Sequence, residues 1–100
     1  MAGWGRADGE RLSRDWTSFG DRLIPLIEAG AAVEDPRVQA VVADHHRWLT
    51  NFWTPQRESY TGLGQLYADS SDFAAPLNAR HPRLAEFLRD AMAAYARVNL

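Results

Sequence analysis

The stretch His45 to Tyr60, HHRWLTNFWTPQRESY, places two histidines, two tryptophans, a phenylalanine and a tyrosine within sixteen residues. Such residues can ligate a metal, pass protons, stack on nucleic-acid bases or wall a pocket for a flat guest. Neighbouring positions on a helix project about 100° apart, so His45 and His46 cannot close on one ion as an i, i+4 pair does, and no metal is expected. His45 reads as a core histidine with a hydrogen bond to backbone or carboxylate. His46, two turns before Trp53, reads as a pocket wall.

Catalysis has little to work with. Asp44, Glu58, Asp69, Asp72 and Glu86 are scattered over exposed faces or caps, and no serine stands in a nucleophile setting, so no enzymatic reaction is expected. Gly62-Leu63-Gly64 follows no strand and has no phosphate-binding lysine, so it is not a nucleotide cradle. Each of these glycines costs a helix about 0.5 to 1 kcal/mol relative to alanine. Close approach of a second helix would offset that, as would a bare backbone surface for a ligand. Gly62 and Gly64 point to different sides, so both can hold.

The composition narrows the classes further. All eleven basic residues are arginine, and the formal net charge is −2. A mixed, slightly acidic chain lacks the clustered basic face that phosphate binding requires, so nucleic acid is not the expected partner. With no cysteine, disulfides, thiolate nucleophiles and Cys-type zinc sites are excluded. No apolar run reaches membrane-spanning length, and MAGWGRADGER lacks a signal peptide's apolar stretch, so a cytoplasmic protein is expected.

These side chains must be carried by helices, because the apolar periodicity is helical throughout and no period-two run exceeds four residues. Leu12, Trp16, Phe19, Leu23, Leu26 and Ile27 form one stripe, stopped by Gly30 and disturbed at Pro25 near Ile24. Asp35 and Pro36 read as N-cap and first residue of a second helix, with Val38, Val41, Val42, His45, Leu49 and Phe52 on one face and an end near Trp53. Thr54-Pro55 opens a third, to Ala68, facing inward through Tyr60, Leu63, Leu66 and Tyr67. A short or broken helix carries Phe73 and Leu77 across Pro76. Pro82 opens the last, with the stripe Leu84, Phe87, Leu88, Ala91, Met92 and Tyr95. The expected fold is all-α, one domain over residues 1–100, with short helices crossing steeply in a globin-like way.

Four tryptophans, four phenylalanines and three tyrosines exceed what so small an interior readily hides, since a chain of this length buries only about 60 to 65% of its unfolded surface. The surplus is expected to line a groove for a planar, drug-sized ligand.

The motifs DHHRWLTNFWTP, YTGLGQLYADSSDF and RLAEFLRDAM together resemble the TipAS antibiotic-recognition domain, the effector-binding half of MerR-class regulators, from about Ser13 to Ala96. RDWTSFGDRLIPLIEAG looks like that family's first helix with its LMDAG-type stop, and LGQLYADSSDF like its LGxMYxxDxRF signature. The resemblance implies an all-helical domain of about five helices that binds bulky heterocyclic peptide or aryl-amide antibiotics in a deep cleft, with no cofactor. It also implies an N-terminal lid, here Trp4 to about Leu26, with residues 1–12 as its flexible segment.

The chain departs from the family in three places: it has no thiol for covalent capture, Arg83 stands within the usual PGL, and Pro76 interrupts the fourth helix. The expected ligand-binding residues are Trp4, Trp16, Phe19, His46, Trp53, Tyr60, Gly62, Leu63 and Tyr67. Three roles follow: non-covalent sequestration by a monomeric domain, the sensing part of a transcription activator, or a helical protein-interaction module.

Overall fold

The computed structural model describes the backbone from Arg6 to Leu100 and side chains from Gly9 onward. Trp4 lies outside the described residues. Five helices follow in order: α1 Arg6–Glu28, α2 Pro36–Leu49, α3 Arg57–Asp69, α4 Ser71–Arg80 and α5 Leu84–Asn99. No strand occurs among the described residues.

α1 starts six residues before the expected Leu12 and continues through Pro25 without interruption. Proline removes the hydrogen bond to the carbonyl four residues back, and here that carbonyl belongs to exposed Asp21, where solvent can satisfy it. The same holds in α4, where Pro76 cannot donate to the carbonyl of exposed Asp72. That is why α4 is one ten-residue helix and not the broken segment expected. Gly30, with φ 78°, ends α1. Its N–H donates to the Ile27 carbonyl and that of Ala31 to Leu26, the paired bonds of a Schellman stop.

Asp35 caps α2 as expected: its carboxylate accepts the Arg37 N–H at 2.8 Å, with Pro36 opening the helix. It also holds the Arg37 guanidinium, and these bonds lower its pKa to about 2. The helix stops at Leu49, short of the expected Trp53. Thr50 and Asn51 turn their side chains back onto the carbonyls of Arg47 and Trp48, and the backbone tightens into i→i−3 bonds. This local competition ends helices. Phe52 therefore leaves the predicted face, Trp53 falls on a loop, and both are exposed.

α3 opens one residue beyond Pro55, at the Gln56 cap, whose N–H donates to Ser59 Oγ at 2.9 Å. Its buried positions are Tyr60, Gly64 and Tyr67. Leu66, expected inside, is exposed, and Gly64 takes the inward place because α5 comes close there. A Cβ on Gly64 would stand 3.4 Å from the Arg89 backbone and from Met92 Cβ, whereas one on Gly62 would meet nothing within 4 Å. Of the two explanations for the glycine pair, close helix approach belongs to Gly64 and open space to Gly62.

α5 buries Leu84, Ala85, Phe87, Leu88, Ala91 and Met92, so most of its expected stripe forms the floor of the core. It packs along α3 and also meets α1, α2 and α4. Burying these side chains contributes most of the favourable energy, about 25 cal/mol per Å² of apolar surface.

Candidate ligand-binding site

His45 lies at the centre of the aromatic residues and is fully buried. α3 brings Tyr60 and Tyr67 to it from positions seven apart, two turns along one face. The Tyr60 hydroxyl lies 2.7 Å from Nδ1 and the Tyr67 hydroxyl 3.3 Å from Nε2. Tyr60 donates its proton to the Val42 carbonyl at 3.3 Å. That assignment makes Nδ1–H the donor to Tyr60 and leaves Nε2 to accept from Tyr67. The chain Tyr67, His45, Tyr60, Val42 is complete, and no buried side-chain polar atom among the described residues lacks a partner.

Burial pushes His45 down to about 3 and holds both phenols above their usual range. A catalytic acid or base needs a pKa near the working pH. This network is displaced away from it, which makes it a neutral structural buckle between α2 and α3.

Three rings cover the imidazole. Trp48 stacks on it at 5.9 Å, Phe19 meets it edge-on at 5.5 Å and Trp16 is tilted at 6.0 Å. Trp16 also stacks on Trp48 and presses edgewise on Tyr67, which in turn contacts Phe73 of α4. Trp16 and Phe19 both come from α1, so this helix lies across the nest as a cover. Polar contacts hold its edges: Trp48 Nε1–H donates to the Leu12 carbonyl, Arg22 pairs with Asp44 at 2.7 Å, and Arg80 reaches the Thr17 carbonyl and the Asp21 carboxylate. Gly20 makes the Arg80 bridge possible, since a Cβ there would sit 2.8 Å from Arg80 Cζ.

A cleft opens on each flank of α1. The one toward α2 has a volume of about 340 Å³, with Phe19 and Trp48 among charged rims from Asp15, Arg22, Asp44 and Arg47. The one toward α4 has about 240 Å³ and is walled by Trp16, Phe73, Pro76 and Leu77, with Thr17, Asp72 and Arg80 at its edge. A wider hollow of about 900 Å³ between Pro55–Ser59 and the chain's last two residues contains no aromatic side chain. Ring-bearing walls suit a planar guest, so the flanks of α1 are the better candidates despite their smaller size.

The structure brings Trp16, Phe19, Tyr60 and Tyr67 together, but not all at a surface. Tyr60 is wholly buried and Tyr67 nearly so, and their hydroxyls are spent on His45. They support the clefts without lining them. His46 is not the pocket wall expected: α2 ends before Trp53, so the two share no helix face. Its ring packs on Tyr60 and Tyr95, and Nε2 lies 3.2 Å from the Pro55 carbonyl. Trp53 stands 43% exposed on the α2–α3 loop, Gly62 faces open space, and Leu63 is half-buried against the core. Among the described residues no three metal-ligating side chains converge.

Trp48, Phe73 and Arg80 were absent from the sequence-derived set. Gly20, on an otherwise well-patterned helix, was the available hint of an incoming side chain.

An aromatic nest bridged by a covering helix, in an all-α five-helix domain, defines a ligand-binding domain. The chain belongs to the TipAS antibiotic-recognition domain family, whose profile matches residues 1–95. Over 99% of its length it superposes with a TM-score of 0.88, at 26% identity, on 71% of the Streptomyces lividans TipAS chain solved with nosiheptide. The fold is accordingly the globin-like one expected.

Among curated relatives, the HTH-type transcriptional regulator SkgA of Caulobacter vibrioides is 29% identical across 97% of this chain and 39% of its own. The HTH-type transcriptional activator TipA of Streptomyces coelicolor is 27% identical across 93% of this chain and 44% of its own. The chain thus spans about two-fifths of the regulators it matches.

Proposed function

We propose that this domain binds a bulky heteroaromatic peptide antibiotic of the thiopeptide kind, without covalent chemistry, and acts by holding it. The observation that carries this reading is the near-complete superposition on TipAS with nosiheptide, together with aromatic clefts on both flanks of the helix that covers the nest. Sequestration by a monomeric cytoplasmic domain then confers resistance by mass action. The domain itself makes no bond to the drug, since it offers no thiol, and touches no nucleic acid.

Each cleft is near or below the lower end of the roughly 300 to 1,000 Å³ that drug-sized ligands occupy. A macrocycle therefore engages both flanks only if α1 rides up or closes over it. Trp16 and Phe19 move with α1, so the lid carries ligand-facing rings, and Trp4 belongs to the same N-terminal segment. Any ordering of side chains and backbone on binding subtracts from the apolar gain.

A second reading is favoured by the relatives: as part of a longer regulator, the same domain senses the drug and passes the change to a DNA-binding segment. An in-frame helix-turn-helix upstream would select this role over sequestration.

Isothermal calorimetry with nosiheptide tests the shared core of both readings. Saturable heat is expected, with a stability gain of about 2.7 kcal/mol at 100 times Kd. Neither heat nor a thermal shift would leave a helical interaction module as the remaining assignment.

A further inference from the structure

We infer that the cleft between α1 and α4 is an anchor subsite for one planar aromatic cation of about two fused rings, with its charge recognised by Asp72. This concerns the same ligand-binding face and goes beyond the thiopeptide reading. The size follows from volume: an apolar cavity of roughly 150 Å³ accepts a benzene, so the 240 Å³ here accommodates a fused pair of rings. The shape follows from the walls, because Trp16, Phe73 and Pro76 offer flat apolar surfaces on two helices.

The charge follows from the rim. Two ionisable groups stand there, Arg80 and Asp72. Arg80 is committed, with its guanidinium bridging the Asp21 carboxylate and the Thr17 carbonyl on α1. Asp72 has neither ion pair nor hydrogen bond to another side chain among the described residues, so its carboxylate is the unspent charge at the opening. Asp72 also stands in the first turn of α4, where an acid is favourable to the helix dipole whatever else it does. That helical role accounts for an acid at this position. It does not account for a cavity with two aromatic walls beside it. Ring faces attract cations through their quadrupole, and a carboxylate at the same opening adds to that field, so neutral and anionic isosteres are disfavoured.

The probes are N-methylquinolinium, neutral quinoline and anionic naphthalenesulfonate, titrated at neutral pH into the intact chain and followed by tryptophan fluorescence and by NMR shifts at Trp16 and Phe73. The quinolinium is expected to bind, with quinoline about tenfold weaker and the sulfonate not binding. Asp72→Asn should remove the preference while leaving quinoline binding and the circular-dichroism spectrum unchanged, and Phe73→Ala should weaken both bound probes.

Equal affinity for quinolinium and quinoline, an unchanged preference in Asp72→Asn, or shifts confined to other residues would overturn the proposal. A nosiheptide titration run in parallel separates the two levels. Drug binding without cation preference sinks this subsite alone, whereas cation binding without nosiheptide binding sinks the thiopeptide reading and leaves the subsite standing.

Discussion

The His45 imidazole is held at both nitrogens by α3, with the Tyr60 hydroxyl 2.7 Å from Nδ1 and the Tyr67 hydroxyl 3.3 Å from Nε2. Two helices are thereby buckled through one neutral ring, beneath the rings that α1 supplies.

Acid should loosen this buckle. Folded His45 titrates near 3 because burial penalises the cation, whereas its ordinary value is 6.5. Between these values the unfolded chain binds more protons, so stability is full above about pH 6.5 and declines as pH falls toward 3. The limiting slope is about 1.4 kcal/mol per pH unit. Asp35, lowered from 3.8 to about 2, contributes over a more acidic window that overlaps the His45 window between about pH 3 and 3.8. Urea unfolding across a pH series measures the slope, and His45→Gln should flatten it between pH 6.5 and the Asp35 window. An unaltered slope in that variant would place the proton elsewhere.

Removing either phenol oxygen should destabilise the fold, with the larger loss at Tyr60. Tyr60→Phe strips a partner from both the His45 Nδ1–H and the Val42 carbonyl, whereas Tyr67→Phe strips one from Nε2 alone. A buried polar group left unpaired costs about 1 to 3 kcal/mol. Chemical denaturation gives the order, and equal, negligible losses would show that the network adds nothing to stability.

The two helical glycines should answer alanine differently. Gly62→Ala adds a methyl to open space and should gain about 0.5 to 1 kcal/mol from helix propensity. Gly64→Ala brings its methyl against α5 at 3.4 Å and should gain less, while Gly64→Leu should force α3 from α5 and lose several kcal/mol. Thermal unfolding of the three variants decides. If Gly62→Ala also weakens nosiheptide binding, that face of α3 belongs to the site.

Loosening α1 should be possible without unfolding the rest. In Gly20→Ala the new methyl displaces the Arg80 guanidinium from Thr17 and Asp21. Because this bridge is partly exposed, the global cost should stay within about 1 kcal/mol. Hydrogen exchange should nevertheless rise in α1 and remain unchanged in α3 and α5. Uniform change across all helices would mean that α1 does not open as a unit.

Helical periodicity placed most of the core correctly, since Leu23, Val38, Val42, Leu84 and Met92 lie where the apolar stripes put them. The cap at Asp35 and the stop at Gly30 were readable for the same reason: both act within a few residues. Helix ends that depend on side chains competing for backbone carbonyls were not, which is why α2 ends at Leu49 and Trp53 stands on a loop.

The site was less readable than the fold. Tyr60 and Tyr67 share a residue type and a helix face with a pocket wall, and only the position of His45 on another helix consigns them to the core. Arg80 acts on α1 from sixty-three positions beyond Thr17, a pairing no local pattern encodes.

The sequence alone therefore determined that the chain is helical, most of its buried positions and the family motifs, because each is written in neighbouring residues, and its composition excluded thiol chemistry. Which aromatic rings face a cleft and which are locked inside was decided by tertiary packing. The hydrogen-bond partners come from α2 and α3 and the covering rings from α1, helices distant in the chain, so neither exists until those helices meet.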